Sequence, residues 1–248
     1  MGSRSRSSFD RAASERSQNE VDVGIPEFTA IGMFAIVIAM AIGIFIAAFL
    51  IGSIPVGYLV GRLFFHTDIR KQGSGNIGAM NALRALGTRG AAVVLLLDAL
   101  KGFLPTLWAL NVFNGFMDSP DLPPSGAIIA SLVATGTVLG HCFSPWLRFR
   151  GGKGVATSFG AVFALCWPAG LVAVGGWVAG AAITRYSSVG SMLGCVLAPV
   201  ALWIFTGSVP ETAFGVVAAL IVLLRHRDNI ARLRAGAESP IRLSKPSA

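Results

Sequence analysis

The amino-acid sequence predicts an all-α integral membrane protein with about seven transmembrane helices. Of its 248 residues, 54% are hydrophobic and 13% are charged, and the mean hydropathy is +0.69. A soluble domain carries about 25% charged residues. The apolar residues form several runs of membrane length, and the polar residues gather between them, so the composition excludes an ordinary soluble enzyme.

Charge distribution predicts the orientation and the class of partner. The net charge is +8, and the cations gather in the segments 66–90 and 148–153, at Arg185 and near the C-terminus. By the positive-inside rule these segments are cytoplasmic, which places the N-terminus outside, the C-terminus inside and the active site at the cytoplasmic face. The sequence has no nucleic-acid module, so the expected partners are the lipid bilayer and anionic ligands.

The N-terminal part predicts a leader followed by an interrupted helix. Residues 1–27 are rich in serine and in charges of both signs, which is typical of disorder. The membrane domain is expected at 28–239, with a tail at 240–248. Its first span runs from Thr29 to about Leu50, and Pro55 then breaks the helix because proline lacks a backbone donor. Residues 56–65 are expected to continue as a kinked or interfacial helix.

The central spans carry one pair of ionisable residues. The second span is predicted at 91–113 and the third at about 126–139. Asp98 and Lys101 lie three residues apart in the second span, hence on one helix face. Because ionisable groups at membrane depth usually pair within the bundle, a structural ion pair is favoured over a catalytic role.

The C-terminal half is expected to hold four crossings. Residues 155–183 are uncharged, and Pro168 lies in the middle. This stretch is long for one helix and short for two, but the cytoplasmic placement of the loops on both sides requires two crossings. Further spans are predicted at 187 to about 205 and at about 212–224.

The first polar cluster, residues 71–84, contains glycines, a hydroxyl, amides and cations between two apolar runs. Consecutive glycine-rich amides can form an anion-binding nest, and Lys71 and Arg84 add full charges, so we predict a phosphate cradle. Its glycines also match the dinucleotide fingerprint, but that motif requires a preceding strand in a βαβ unit. A glycine-rich turn between two helices is the simpler alternative.

The second polar cluster, residues 148–157, looks like a P-loop but departs from it. Leu147 occupies the position of the first required glycine, and Gly154 replaces the hydroxyl residue that should follow Lys153. What remains is a lysine among three glycines at the start of a helix, where anions are favoured.

The third polar cluster, residues 225–234, places His226 and Asn229 on one helix face, although it could be an ordinary basic stop after the last span. Carboxylates are scarce in all three clusters, which disfavours magnesium-dependent phosphotransfer. No metal site and no cofactor are expected. The three cysteines lack metal or redox spacing and are expected to be small core residues.

Four motifs occur in a fixed order: G-S-I-P-x-G-Y at 52–58, G-S-G-N-I-G-A-M-N-x-x-R at 73–84, F-R-G-G-K-G-V-A-T at 149–157 after Gly140 and His141, and H-x-x-N-I-x-R-L at 226–233. Together they resemble the bacterial acyl-phosphate:glycerol-3-phosphate acyltransferases, the PlsY family. The resemblance implies a seven-helix enzyme of the bacterial plasma (inner) membrane that makes lysophosphatidic acid from acyl phosphate and glycerol 3-phosphate, the first step of phospholipid synthesis. It also implies an upstream enzyme that produces acyl phosphate and a downstream lysophosphatidate acyltransferase.

The resemblance also assigns the site residues. Those with implied catalytic roles are Ser74, Arg84, Lys153, His226 and Asn229. Those expected to bind substrate are Gly73, Gly75, Asn76, Gly78, Asn81, His141, Gly151, Gly152, Gly154 and Thr157. One departure is Met80, because the family usually has threonine there, and a hydroxyl donor is lost.

The expected chemistry is direct acyl transfer, because acyl phosphate already has a good leaving group. The enzyme then mainly holds two anions together and orients the nucleophile. The base is either the departing phosphate or His226. An acyl-enzyme on Ser74 is less favoured, since no Ser-His-Asp pattern is evident. The alternative function is a transporter of an organic phosphate, although we find no internal repeat.

Overall fold

The computed structural model describes residues 27–114 and 125–241, and within these ranges the regular structure is helical, with no strand. The α-helices, in chain order, are α1 Glu27–Ser53, α2 Val56–Phe64, α3 Ala79–Asn114, α4 Ser125–Cys142, α5 Val155–Leu165, α6 Trp167–Thr184, α7 Ser187–Thr206, α8 Val209–Arg225 and α9 Arg227–Arg234. Two 3-10 turns, Ile69–Lys71 and Pro145–Leu147, lie in the polar connections. The all-α prediction is confirmed. Glu27, the last residue of the leader predicted at 1–27, is the first residue of α1. The rest of that leader and most of the tail at 240–248 lie outside the described residues.

The chain divides into two units, residues 1–40 and 41–248. The first unit contributes the beginning of α1. Every contact described below lies within the second unit.

Five helical segments are long and apolar enough to cross a bilayer: 34–64, 79–114, 126–147, 167–184 and 187–206. Helices α8 and α9 together form a sixth candidate, bent by 54°. Helix α5 has 11 residues and is about 17 Å long, whereas the bilayer core is about 30 Å thick. A count of seven requires α5 as a crossing; this count and the orientation stay predictions.

The helix breaks follow from local sequence. Helix α1 ends at Ser53 and α2 begins at Val56, on either side of Pro55, as predicted. The break predicted near Pro168 lies at Cys166, whose extended backbone (φ −154°) separates α5 from α6. Pro168 lies in the first turn of α6. N–H groups in a first turn have no hydrogen-bond acceptor within the helix, so the missing N–H of proline costs no helical hydrogen bond there.

Small residues allow the helices to approach closely. The core of the second unit is built largely of alanines, and α6 contacts α7 through glycines. A Cβ added to Gly190 on α7 would overlap the Trp177 carbonyl of α6. Such contacts are typical of membrane helices, because dispersion and close packing drive their association. Two cysteines, Cys142 and Cys195, are buried and free, as expected of core residues.

The ion pair predicted in α3 is confirmed. Lys101 Nζ lies 2.9 Å from Asp98 Oδ1, and both side chains are buried. The ammonium group also donates to the carbonyl of Ile54, 3.1 Å away, beside the break between α1 and α2. The pair therefore ties α3 to that break.

Candidate active site

Asn81 organises the glycine loop of the first polar cluster. Its side chain is buried, and its Nδ2 donates to the carbonyls of Ile69 (2.7 Å) and Asn76 (2.8 Å). Its Oδ1 accepts the backbone N–H of Ser74 (2.8 Å) and the Ser74 hydroxyl (3.3 Å). Gly73 has φ +54°, and a Cβ there would collide with Asn81 Oδ1. The amide therefore fixes the loop conformation from within.

Three backbone amides of this loop are bonded within the protein. The N–H of Ser74 donates to Asn81, that of Gly75 to the Gln72 carbonyl (2.9 Å) and that of Gly78 to Asn76 Oδ1 (2.9 Å). Because these three amides are already bonded within the protein, side-chain cations are expected to contribute to the attraction of an incoming phosphate. Arg84, one turn beyond Asn81, is exposed and available for that role.

The second glycine loop is held by the end of α4. The N–H groups of Gly151 and Gly152 donate to the carbonyls of Cys142 (3.2 Å) and His141 (3.0 Å). The Arg225 guanidinium donates to the carbonyls of the same glycines, through Nη2 to Gly151 (2.7 Å) and Nε to Gly152 (3.0 Å). The loop is therefore rigid, and Lys153 projects from a fixed backbone.

Two predicted substrate-binding residues lie inside the protein. His141 is 4% exposed, and its Nδ1 lies 3.5 Å from Asp98 Oδ1. A Cβ added to Gly152 would overlap the His141 ring, so the imidazole packs directly beneath the loop. Thr157 is fully buried, near Gly102 of α3. Both residues thus lie in contact with the supporting helices.

A chain of polar contacts joins Lys153 to the third cluster. Lys153 Nζ donates to Asn229 Oδ1, and Asn229 Nδ2 donates to Glu238 Oε1 (2.6 Å). Glu238 also accepts bonds from Ser188 Oγ (2.8 Å) and Arg232 Nε (2.8 Å). Two residues predicted from separate motifs, Lys153 and Asn229, are therefore brought into direct contact.

His226 lies at the bend between α8 and α9. Its ring is buried, and its Nδ1 lies 2.8 Å from the Val222 carbonyl. Because a carbonyl oxygen can only accept, this contact requires a proton on Nδ1. In the neutral ring, Nε2 is then left as the proton acceptor.

Burial and the neighbouring charges set the protonation of Lys153. Burial lowers the pKa of Lys153 from 10.5 to about 8, and the nearby cations Arg232 and Arg84 act in the same direction, whereas Glu238 opposes them. Burial alone would raise the pKa of Glu238, but the hydrogen bonds it accepts from Asn229, Arg232 and Ser188 leave that pKa below its ordinary value. At neutral pH the site therefore contains a largely protonated lysine whose charge is poorly compensated.

A cavity of about 350 Å³ lies beside Arg84. It is lined by Met80, Leu83, Arg84, Ser239 and Pro240. Met80, the departure noted in the sequence, is thus part of the wall. The other side of the wall is the C-terminal segment that also supplies Glu238, and the Ile241 N–H donates to the Arg185 carbonyl (2.8 Å).

Sequence reasoning missed Arg225, Ser188 and Glu238 as parts of this site. Arg225 belongs to the third polar cluster, and nothing local in the sequence shows that it reaches the carbonyls of the second glycine loop. Ser188 lies 50 residues from Glu238, so its hydrogen bond depends on tertiary structure. Among the described residues, no group of three or more His, Cys, Asp or Glu side chains could hold a metal ion.

Comparisons with known proteins give one consistent family. A family model described as glycerol-3-phosphate acyltransferase matches residues 42–236. A glycerol-3-phosphate acyltransferase of Gluconobacter oxydans is 43% identical over 206 residues, covering 82% of this chain and 93% of its own. Another, from Rhodopseudomonas palustris, is 45% identical over 205 residues, covering 81% and 97%.

Solved structures agree with the sequence relatives. The glycerol 3-phosphate form of PlsY, an integral membrane glycerol 3-phosphate acyltransferase, matches with a TM-score of 0.74 and 34% identity, covering 82% of this chain and 96% of that one. The lysophosphatidic acid form of the same protein matches with a TM-score of 0.71 and 33% identity.

Proposed function

Because the chain belongs to the glycerol-3-phosphate acyltransferase family, PlsY, we propose that it transfers a fatty acyl group from acyl phosphate to the 1-hydroxyl of sn-glycerol 3-phosphate. The products are lysophosphatidic acid and inorganic phosphate. The chain is an integral, multi-pass membrane acyltransferase, and we place it in the bacterial plasma membrane, between an enzyme that supplies acyl phosphate and one that acylates lysophosphatidate. The observation that carries the proposal is the cluster of Lys153, Asn229 and Arg84 around two rigid glycine loops.

Cations are the main requirement of this reaction, since both substrates carry phosphate. Lys153 is mostly protonated at neutral pH, and Arg84 adds a planar guanidinium group suited to phosphate. We assign the two groups to the substrate phosphates. Because several of the loop amides are already bonded within the protein, we assign most of the attraction to these side chains. The loops of Gly73–Gly78 and Gly151–Gly154 set their positions.

The acyl transfer balances without an oxidant or a metal. The 1-hydroxyl oxygen of glycerol 3-phosphate forms a bond to the acyl carbonyl carbon, and the bond from that carbon to the phosphate oxygen breaks. The hydroxyl proton goes to the departing phosphate or to Nε2 of His226, the ring nitrogen left without a proton by the Val222 contact. Asn229 and Ser74 orient the acceptor.

The surroundings of Ser74 support direct transfer over an acyl-enzyme. A serine nucleophile requires an adjacent base. The Ser74 hydroxyl instead donates to the neutral amide oxygen of Asn81. An amide cannot take the proton, so this hydroxyl is suited to binding and poorly suited to attack.

A donor comparison tests the proposal. Purified protein in lipid is given glycerol 3-phosphate with either palmitoyl phosphate or palmitoyl-CoA, and phosphate release and lysophosphatidic acid are followed. We expect lysophosphatidic acid to form with palmitoyl phosphate and not with palmitoyl-CoA. In Lys153→Ala this product should be lost. Uptake of labelled glycerol 3-phosphate into proteoliposomes without donor, combined with no turnover, would instead support a transporter.

A further inference from the structure

A second cationic cavity, of about 400 Å³, lies beside the same two loops but has other walls. It is lined by Arg70, Gly75, Trp146, Leu147, Arg148 and Arg150. None of these residues lines the cavity beside Arg84. We propose that this second cavity binds the phosphate of an anionic lipid headgroup from the adjacent leaflet.

Arg70 is held ready for an anion. Its Nε donates to Asp68 Oδ1 (2.9 Å) and its Nη2 to Asp68 Oδ2 (2.8 Å), while the guanidinium lies 4.3 Å from the centre of the Tyr58 ring. Two of the five guanidinium N–H donors are thus used on the carboxylate, which leaves others for a ligand. Because the group is fixed before binding, little side-chain entropy is lost when an anion arrives.

The loop that carries Arg148 and Arg150 is equally fixed. The N–H groups of Arg148, Phe149 and Arg150 donate to the carbonyls of Pro145 (3.1 Å), Ser144 (2.8 Å) and Leu147 (3.1 Å) respectively. Both Arg148 (φ +52°) and Phe149 (φ +61°) adopt the left-handed region, which residues other than glycine rarely enter. This unusual turn brings both arginines to one cavity and leaves the intervening Phe149 62% exposed.

The position of the cavity indicates a lipid as the source of the anion. The candidate span 126–147 ends directly before Arg148, and the candidate span 34–64 ends six residues before Arg70. The cavity therefore lies near the level where headgroups begin. Trp146 is 64% exposed, yet its indole N–H donates to Ser53 Oγ (2.8 Å). Exposed tryptophans with one polar contact are typical of the membrane–water interface.

Charge counts support an anionic ligand. Among the described residues that line this cavity, three are arginines (Arg70, Arg148 and Arg150) and none is acidic. The carboxylate bonded to Arg70, that of Asp68, also lies 3.8 Å from Arg62. Hydrogen bonds from Arg70 lower the pKa of Asp68 to about 2, so this carboxylate stays ionised. Its single negative charge is set against the three guanidinium groups of the cavity. A large excess of positive charge remains, and arginine is well matched to phosphate because its planar group donates two parallel bonds.

Fluorescence of Trp146 tests the proposal. Detergent-solubilised protein is titrated separately with dioctanoyl phosphatidic acid, dioctanoyl phosphatidylcholine and inorganic phosphate. The Trp146 signal is the difference in fluorescence between the unaltered protein and the Trp146→Phe variant. We expect saturable binding of phosphatidic acid, at least about tenfold tighter than binding of the other two ligands. Equal binding of phosphatidylcholine would overturn the headgroup assignment, and equal binding of inorganic phosphate would overturn the lipid assignment.

Matched variants locate the site. The double variant Arg148→Gln with Arg150→Gln should weaken phosphatidic acid binding at least about tenfold. The control is the double variant Arg89→Gln with Arg234→Gln, which removes the same charge from two exposed positions elsewhere and should leave the binding unchanged. Lys153→Ala should leave the Trp146 titration unchanged, since that lysine belongs to the acyl-transfer site. Loss of the titration in Lys153→Ala, or unchanged binding in the Arg148 and Arg150 variant, would contradict a separate lipid site.

Discussion

Lys101 is buried and Lys153 is half-buried, and the two lysines differ in the groups that compensate their positive charge. Lys101, in the helix bundle, lies 2.9 Å from the Asp98 carboxylate and donates to the Ile54 carbonyl. Lys153, in the second glycine loop, donates to the neutral amide oxygen of Asn229. The carboxylate of Glu238 accepts a hydrogen bond from that amide and none from Lys153.

The difference separates a structural group from a group available to substrate. Lys101 is neutralised and enclosed, so an added anion would have to displace a buried carboxylate. Lys153 has no directly bonded carboxylate among the described residues, and its charge is available to a phosphate. The two lysines therefore have opposite roles because of one partner.

Lys101→Ala should have the largest effect on stability. Removing one partner of a buried ion pair leaves an uncompensated charge and costs about 3–5 kcal/mol. We expect that loss in the free energy of unfolding, measured by SDS titration in mixed micelles. Replacing both partners, as Asp98→Asn with Lys101→Met, should restore most of the stability; no recovery would mean that the pair itself has a further role.

Lys153→Ala should have the next largest effect, on turnover. Loss of a positioned charge at the reacting centre typically lowers kcat by about 10²–10³-fold. The unfolding free energy should change far less than in Lys101→Ala, because Asn229 keeps its bond to Glu238. Steady-state kinetics and the same unfolding titration measure both quantities, and a variant that keeps its turnover would contradict the assignment.

Gly152→Ala should disturb the contact between the two regions. The new Cβ would overlap the His141 ring, which lies against Asp98, so the loop that carries Lys153 must shift. Overpacking of this kind costs about 1–3 kcal/mol. We expect a reduced unfolding free energy together with a raised KM for glycerol 3-phosphate. Gly175→Ala is the control, since a Cβ there has nothing within 4 Å.

Raising the pH from 7 to 9 should lower kcat/KM by about tenfold. With the pKa of Lys153 near 8, its protonated fraction falls from about nine-tenths to about one-tenth. Lys153→Arg should flatten the pH profile, because arginine stays charged.

Stability should move in the opposite direction. The pKa of Lys153 is lower in the folded protein than its ordinary value of 10.5, so the unfolded chain binds more protons between about pH 8 and 10.5. The contribution of Lys153 to stability therefore rises with pH in that window. Parallel losses of activity and of unfolding free energy would show that unfolding, and not deprotonation, causes the fall in rate.

The sequence predicts the helices and the ion pair well, because both depend on local patterns. The break at Pro55 and the i, i+3 spacing of Asp98 and Lys101 are examples, since each acts within a few residues. The contact between Lys153 in the second glycine loop and Asn229 in α9 joins residues 76 positions apart, and the motifs suggest it without fixing its geometry.

Other features of the site could not be read from residue types. The use of the loop amides by Asn81 and Asn76, and the covering of the second glycine loop by Arg225, depend on how buried polar groups satisfy one another in three dimensions. The predicted backbone nest stays a prediction, and the structure shows three of the loop amides bonded within the protein.

Binding of glycerol 3-phosphate without donor tests the contrast between the two lysines most directly. Isothermal titration calorimetry is carried out on the unaltered protein, on Lys153→Ala and on Asp98→Asn with Lys101→Met, each confirmed to be folded. We predict saturable binding to the unaltered protein and to the double variant, and a loss of at least about tenfold in affinity for Lys153→Ala. Unchanged binding to Lys153→Ala, or lost binding to the folded double variant, would contradict the account.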